Sequence, residues 1–262
     1  MKITVLGARG SIPTDGKDMI RFGGATSCIM VETAKNVIFL DAGTGIMKAP
    51  VMEGKDVYVL LTHPHADHVI GLPFFSYMMI KDKKIEVLAT VKDGLGTYDQ
   101  LKRLVSEPLW PCTVNDYPAK VICRDITFPI ELGDTKILGM ESNHPGESTV
   151  MRVECDGASF VYATDYEHSE KDDARLIDLC KGTDLLMYDG QYTTDEYEAK
   201  AGYGHSTPEH GVRIMKESGA GSLLIVHHDP FHDDAQLEKM EQKIRTDNIA
   251  FARQGEVICL PR

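Results

Sequence analysis

Short β-branched and apolar runs separated by glycines dominate the first quarter of the chain, at 2–6, 27–32, 37–41 and 57–62. Runs punctuated in this way are what strands joined by turns require. After His68 the pattern changes. An apolar stretch at 72–80 precedes an amphipathic one at 98–106, which predicts a helix. Glu107-Pro108 and Trp110-Pro111 are expected to end it, because the residue before a proline avoids helical geometry. Strand-like runs return at 136–139, 149–154 and 159–164. Helix 172–179, strand 184–188, helix 208–217, strand 222–226 and helix 235–245 follow. Two strand-rich halves, each trailed by helices, predict an α/β (α+β) chain with two packed sheets and helices outside, a four-layer αββα sandwich. No Pro/Gly/Ser-rich linker and no repeat of about 20–50 residues is visible, so a single domain over 1–262 is expected.

Composition narrows the function classes. At 42% hydrophobic and 26% charged, the chain is neither disordered nor fibrous. Its longest apolar runs, 57–61 and 223–226, fall far short of the ~20 residues that span a bilayer. The opening MKITVLGARG holds too short an apolar run for a signal peptide. With 28 Lys+Arg against 40 Asp+Glu the net charge is −12, the wrong sign for gripping an extended nucleic-acid duplex. Cys28, Cys112, Cys123, Cys155, Cys180 and Cys259 are scattered without a CxxC pair, as expected of reduced thiols in a cytoplasmic protein.

The candidate chemistry begins at Thr62-His63-Pro64-His65-Ala66-Asp67-His68, which closes a strand with four metal-ligand side chains in six residues. Imidazole suits zinc and related transition metals, and a carboxylate takes the harder share or bridges two ions. Clustered imidazoles and a carboxylate are costly to desolvate without metal or hydrogen bonds, so a metal site explains this density better than a solvated loop does.

The stretch resembles the HxHxDH signature of the metallo-β-lactamase superfamily, and the resemblance continues in order along the chain. It implies an αββα sandwich of that type holding two divalent ions. His63, His65 and His144 would take the first, and Asp67, His68 and His227 the second, with Asp165 bridging them. Asp41, in Phe39-Leu40-Asp41-Ala42-Gly43, matches the family aspartate that hydrogen bonds a ligand and fixes its tautomer. His227 competes with its neighbour His228 and is preferred as the first residue past an apolar run. Zinc is the first choice of metal, although the same nitrogen and oxygen donors admit manganese or iron.

Within the superfamily, Gly71-Leu72-Pro73 and Gly204-His205-Ser206-Thr207 resemble the ribonuclease Z and small phosphodiesterase branch. Gly10-Ser11-Ile12-Pro13, Arg21-Phe22-Gly23-Gly24 and His227-His228-Asp229-Pro230 resemble the phosphoribosyl 1,2-cyclic phosphodiesterase members. The resemblance implies that His205 assists departure of the leaving group. Asp189 stands where ribonuclease Z carries a supporting Glu, although the surrounding Tyr188-Asp189-Gly190-Gln191-Tyr192 departs from that pattern. Asp67, His205 and Asp189 are the expected catalytic residues. Arg9 and Arg21, in glycine-rich turns, are expected to contact a substrate phosphate. Segment 109–119, with Trp110 and Tyr117, is expected either to close over the metals and stack on a sugar or base, or to pack as ordinary core.

The expected activity is hydrolysis of a small or cyclic phosphodiester, such as a cyclic nucleotide or ribosyl cyclic phosphate, through a metal-bound hydroxide. The alternatives are a ribonuclease of the Z type, a lactone or ester hydrolase, and a non-catalytic metal-dependent binding module. The expected partner is a small-molecule substrate, with no membrane and no extended duplex; a homodimer is left open.

Overall fold

The computed structural model describes residues 1–261. In the first of two sheets, β1 (Lys2–Gly7), β2 (Cys28–Glu32), β3 (Asn36–Leu40), β4 (Asp56–Leu60), β5 (Lys84–Ala89) and β6 (Lys120–Asp125) lie side by side in chain order. The second runs in chain order through β7 (Ile130–Leu132), β8 (Thr135–Glu141), β9 (Thr149–Cys155), β10 (Ala158–Ala163), β11 (Leu185–Asp189), β12 (Leu223–Val226) and β13 (Ile249–Phe251). The last strand, β14 (Val257–Cys259), returns to the first sheet beside β1. Pairing is parallel from β3 to β6 and from β10 to β13, and antiparallel elsewhere.

Strand β3, Asn-Val-Ile-Phe-Leu, shows how the sequence builds the layers. Alternate side chains point to opposite faces of a strand. Ile38 and Leu40 enter the core between the sheets, while Val37 and Phe39 enter a second core on the outer face. A strand buried on both sides needs a continuous apolar run, as read at 37–41. The inter-sheet core joins Ile3, Ile29, Leu60 and Leu88 to Met151, Phe160, Met187 and Leu224.

Six helices follow in chain order: α1 (Ala66–Val69), α2 (Thr97–Lys102), α3 (Glu170–Cys180), α4 (Thr194–Lys200), α5 (Pro208–Ser218) and α6 (Asp234–Ile244). Val69, with Leu72, Phe75 and Leu101, covers the first sheet, whereas Leu176 of α3, Ile214 of α5 and Leu237 of α6 cover the second. Helix, sheet, sheet and helix make the expected four layers. Helix α5 is delimited locally: the Thr207 side chain caps its first turn, Pro208 occupies N1, and Gly219 at φ +69° ends it.

Several expectations change. Strands β5, β6, β7, β13 and β14 and helix α4 were not legible; β5 and β6 carry charges along their length, and β7, β13 and β14 are three residues each. The apolar stretch 72–80 forms two 3₁₀ turns rather than one element. Regular helix stops at Lys102 with one further turn to Val105, before either proline. Trp110 donates to the Tyr117 hydroxyl at 3.1 Å and stands edge-on to Phe74, and both rings pack against the outer core of the first sheet. The two rings of segment 109–119 are therefore packed on this core, while Leu109 and several of the residues between them are exposed. All six cysteines are free, with Cys28, Cys155 and Cys180 buried and Cys259 exposed. No described helix is long and apolar enough to cross a membrane.

Candidate metal centre

Open α/β sheets gather ligands at the carboxyl ends of their strands, and the polar residues of this chain collect at such ends in both sheets. Asp41 follows β3, His63 to His68 follow β4, His144 follows β8, Asp165 follows β10, Asp189 ends β11 and His227 follows β12. Asp41, Asp165 and His227 have positive φ (63°, 51° and 62°), so the chain reverses sharply there and aims each side chain across the gap between the sheets. Such strained backbone persists where its surroundings over-determine it.

Two donor groups result. His63, His65 and His144 bring one ligand atom each to within 4.8 Å of one another, and Asp67, His68 and His227 do the same. Asp165 lies between them. Its Oδ1 is 3.8 Å from Nε2 of both His63 and His144, and its Oδ2 is 3.1 Å from His68 Nε2 and 3.4 Å from His227 Nε2. The Nε2 atoms of His63 and His68 are buried with no hydrogen-bond partner. Buried orphan nitrogens facing carboxylates fit divalent ions, and the nitrogen and oxygen donors are those zinc, manganese or iron accept. The residues present therefore fit a two-ion centre.

The opposite nitrogens are held by the protein. His68 Nδ1 donates to Asp41 Oδ2 at 2.8 Å, and Asp41 also accepts from the Thr62 amide and hydroxyl and from the Tyr162 hydroxyl. Thr62 Oγ1, with its proton directed at Asp41, accepts from His63 Nδ1 at 3.0 Å. His144 Nδ1 donates to the Gly204 carbonyl at 3.0 Å, and His227 Nδ1 to Gln191 Oε1 at 2.9 Å. Each contact sets a tautomer that leaves the other nitrogen free for an ion. His228 lies elsewhere: its Nε2 bonds the Ala252 carbonyl and its ring packs against Phe22 and Phe251.

The charges agree with this arrangement. Burial drives His63 well below an ordinary imidazole. Burial would also lower His68 and His227, but carboxylates outweigh it. Asp165, Asp67 and Asp41 hold His68 well above its usual value, and Asp165, Asp189 and Asp67 raise His227 to about 9. Without ions the carboxylates draw protons into the centre, and binding a metal must displace them.

His205 and Asp189 adjoin the second group. His205 Nδ1 is 2.9 Å from Asp189 Oδ2, and its ring stacks on His227 at 4.8 Å. Among the described residues His205 Nε2 has no protein partner. Buried Asp189 also accepts from the amides of Asp165, Gln191 and Ser206, which lock its orientation.

The two arginines are not brought to the ions. Arg9 is fully buried and donates to the carbonyls of Gly23, Asp229 and His232, tying the loop after β1 to the loop after β12. That corrects its expected role: Nε and Nη1 serve these carbonyls and Nη2 lies against Met19 Sδ, so the fork is committed inside the protein. Arg21 pairs with Glu238 at 2.8 Å and lies 3.9 Å from Asp234, both on α6. Gln191, Thr62, Tyr162 and Glu167, whose carboxylate accepts from the amides of Gly202 and Gly204 on the strap of chain that holds His144, are the site residues that sequence reading missed. Gln191 and Thr62 lay inside segments already singled out. Tyr162 and Glu167 carried no signal, because their partners are far away in sequence.

A sequence profile described as "Beta-lactamase superfamily domain" matches residues 36–228. The chain is 22% identical to a protein named ribonuclease Z from Haloarcula marismortui, across 87% of this chain and 86% of that one. It is 26% identical to the probable metallo-hydrolase YhfI of Bacillus subtilis, across 98% and 99%. The crystal structure of YhfI, a metallo-β-lactamase fold protein, superimposes with a TM-score of 0.73 at 22% identity, covering 98% of each chain. A diphosphatase from the PhnP family superimposes with a TM-score of 0.69 at 18% identity, covering 99% of each.

Proposed function

Because the chain belongs to the β-lactamase superfamily domain family, whose named relatives include hydrolases, we propose that it is a dinuclear metal-dependent phosphodiesterase acting on small or cyclic phosphodiesters. The observation that carries this reading is the His205–Asp189 pair, set beside the Asp165 and His227 donors with His205 Nδ1 bonded to Asp189 and 3.9 Å from Asp165 Oδ1. Loss of an alkoxide from phosphorus needs a proton, and an imidazole oriented by a buried carboxylate supplies one.

His63, His65 and His144 would hold one ion, Asp67, His68 and His227 the other, and Asp165 both. When bound, the two ions would supply an acidified water and neutralise charge on the phosphoryl oxygens. The chain's own residues do the rest. Asp67 and Asp165 anchor the reacting region, and Asp67 Oδ2 is held at 2.8 Å by the Ser11 amide. His205 gives its Nε2 proton to the departing oxygen, and Asp189 steadies the imidazolium through Nδ1. Asp189 acts by orientation, since its oxygens already accept several hydrogen bonds.

A small substrate is favoured by charge as well as by architecture. Between His68 and His144 the chain runs through β5, α2, β6, β7 and β8, which take up 28 of the 75 residues. Of the short basic run 81–84, Lys83 donates to the Lys55 carbonyl and Lys84 pairs with Glu86. With a net charge of −12, a long phosphate backbone finds little to bind. The same reasoning proposes a cytoplasmic, reduced protein with no extended duplex among its partners. The ribonuclease alternative keeps support from the Haloarcula relative.

The test is a turnover screen of zinc-, manganese- and iron-loaded protein. It should cover bis-(p-nitrophenyl) phosphate, cyclic nucleotides, a ribosyl cyclic phosphate, a tRNA precursor and a lactone. Small diesters should give the highest kcat/KM. A tRNA precursor exceeding all of them would restore the ribonuclease reading, and turnover of the lactone alone would remove the phosphodiesterase one.

A further inference from the structure

Glu167 lies two residues past Asp165 on the loop that leaves β10, and it is buried, with 7% of its surface exposed. A buried carboxylate is costly unless donors surround it. Among the described residues its donors are all neutral. Oε1 accepts from the Gly202 amide at 2.6 Å and from the Tyr197 hydroxyl at 3.0 Å, and Oε2 accepts from the Gly204 amide at 2.8 Å. Gly202 and Gly204 both stand at φ +90°, where L side chains rarely go, and this backbone turns two alternate amides onto one side chain.

Glu167 reaches the centre from both of its ends. Its own amide donates to the carbonyl of Asn143, the residue before His144, at 3.1 Å. Beside that bond the Ser142 hydroxyl donates to the Asp165 carbonyl at 2.8 Å, so the loops after β8 and β10 are tied together. Its carboxylate fixes the strap at 202–204. The Gly204 carbonyl accepts from His144 Nδ1 at 3.0 Å, and the strap continues directly into His205, whose ring lies 5.3 Å from that of His144. One side chain thus places a histidine of the first donor group and the imidazole of the His205–Asp189 pair relative to each other.

We propose that Glu167 is a positioning residue: through the strap it sets His144 against the first ion and His205 against the leaving group, although it belongs to neither donor group. The His205 half rests on the phosphodiesterase reading above, and the His144 half on the metal centre alone. Each carboxylate oxygen takes one of the two amides. A glutamine in its place must therefore turn its NH2 group toward an N–H, whichever way it is set. An aspartate keeps the charge but withdraws it from the strap by one methylene.

Zinc titration against a competing chelator, and turnover of alkoxide- and nitrophenolate-leaving diesters at saturating zinc, test this in wild type, Glu167→Gln, Glu167→Asp and Tyr197→Phe. Both Glu167 variants should bind one zinc ion about 10–100-fold more weakly. They should also lose roughly 10²-fold more rate on the alkoxide-leaving diester, which needs the proton, than on the nitrophenolate one. Tyr197→Phe keeps both amide bonds and should retain native zinc affinity and the native ratio of rates. Glu167 variants that melt lower yet keep native affinity or the native ratio overturn the proposal, because a merely structural role lowers stability alone. Equal losses in Tyr197→Phe overturn it too. Should Glu167→Gln fail to fold, Glu167→Asp decides by the same outcomes. A wild-type protein that cleaves no diester removes the phosphodiesterase reading, and zinc affinity then decides whether Glu167 positions His144.

Discussion

Gly204→Ala, with Gly202→Ala as its partner, separates backbone strain from loss of a metal ligand's support. Both glycines stand at φ +90°, so an alanine at either pays about 1–3 kcal/mol for the conformation. Their surroundings differ. A Cβ on Gly202 meets nothing within 4 Å, whereas one on Gly204 falls 2.0 Å from His144 Nδ1 and 2.6 Å from Pro145 Cδ. The ring or the strap must move, and the 3.0 Å bond from His144 to the Gly204 carbonyl is lost. Losing such support for a ligating histidine typically weakens metal binding about 10–100-fold. For a chain of this size about 1 kcal/mol shifts Tm by roughly 2–4 °C. Gly202→Ala should therefore melt several degrees lower than wild type and still bind two zinc ions with native affinity. Gly204→Ala should melt at least as low and lose affinity for one ion. Zinc titration against a competing chelator, with melting of the ion-free proteins, reads both quantities. Native affinity for both ions in Gly204→Ala would refute the reasoning, as would an equal loss in Gly202→Ala.

Further outcomes follow from the same contacts. His205→Ala should keep both ions and lose roughly 10²–10⁴-fold in rate on alkoxide-leaving substrates, with a smaller defect on a nitrophenolate ester; loss of metal instead would place His205 among the ligands. Arg9→Lys cannot satisfy the carbonyls of Gly23, Asp229 and His232 together. Unpaired buried acceptors cost about 1–3 kcal/mol each. Denaturant unfolding of this variant should accordingly show a loss of about 3 kcal/mol, and a raised KM at unchanged stability would return Arg9 to the substrate. His227 and His68 are raised in the ion-free protein. Their contribution is complete below the ordinary imidazole value and disappears as pH rises through about 9 for His227. The ion-free protein should thus lose stability between about pH 6.5 and 9 while the zinc-loaded protein does not, and calorimetry in buffers of different ionisation enthalpy should show protons released on zinc binding. A flat profile, or no proton release, would contradict the assigned charges.

Much was legible in the chain itself, for local reasons. The runs at 37–41 and 223–226 had to be strands buried on both faces, and their alternating residues do enter two different cores. His63, His65, Asp67 and His68 lie within one turn of chain, so their shared destination followed from spacing alone. Asp41, His144, Asp165 and His227 were placed by an ordered resemblance, not by any property of each residue, and the fold brings them together at strand ends.

What the tertiary structure alone decided concerns partners distant in sequence. Arg9 and Arg21 looked equivalent in glycine-rich turns, yet one is buried under three carbonyls and the other pairs with α6 on the surface. Sequence cannot say which carbonyls a turn will face. His227 and His228 differ by one position, and the positive φ of His227 sends one ring to the donors and its neighbour against Phe22 and Phe251. The hydrogen bonds of Gln191 to His227 and of Glu167 to the strap cross 35 residues or more. No periodicity encodes such pairs; they exist only because the second sheet sets the ends of β10, β11 and β12 side by side.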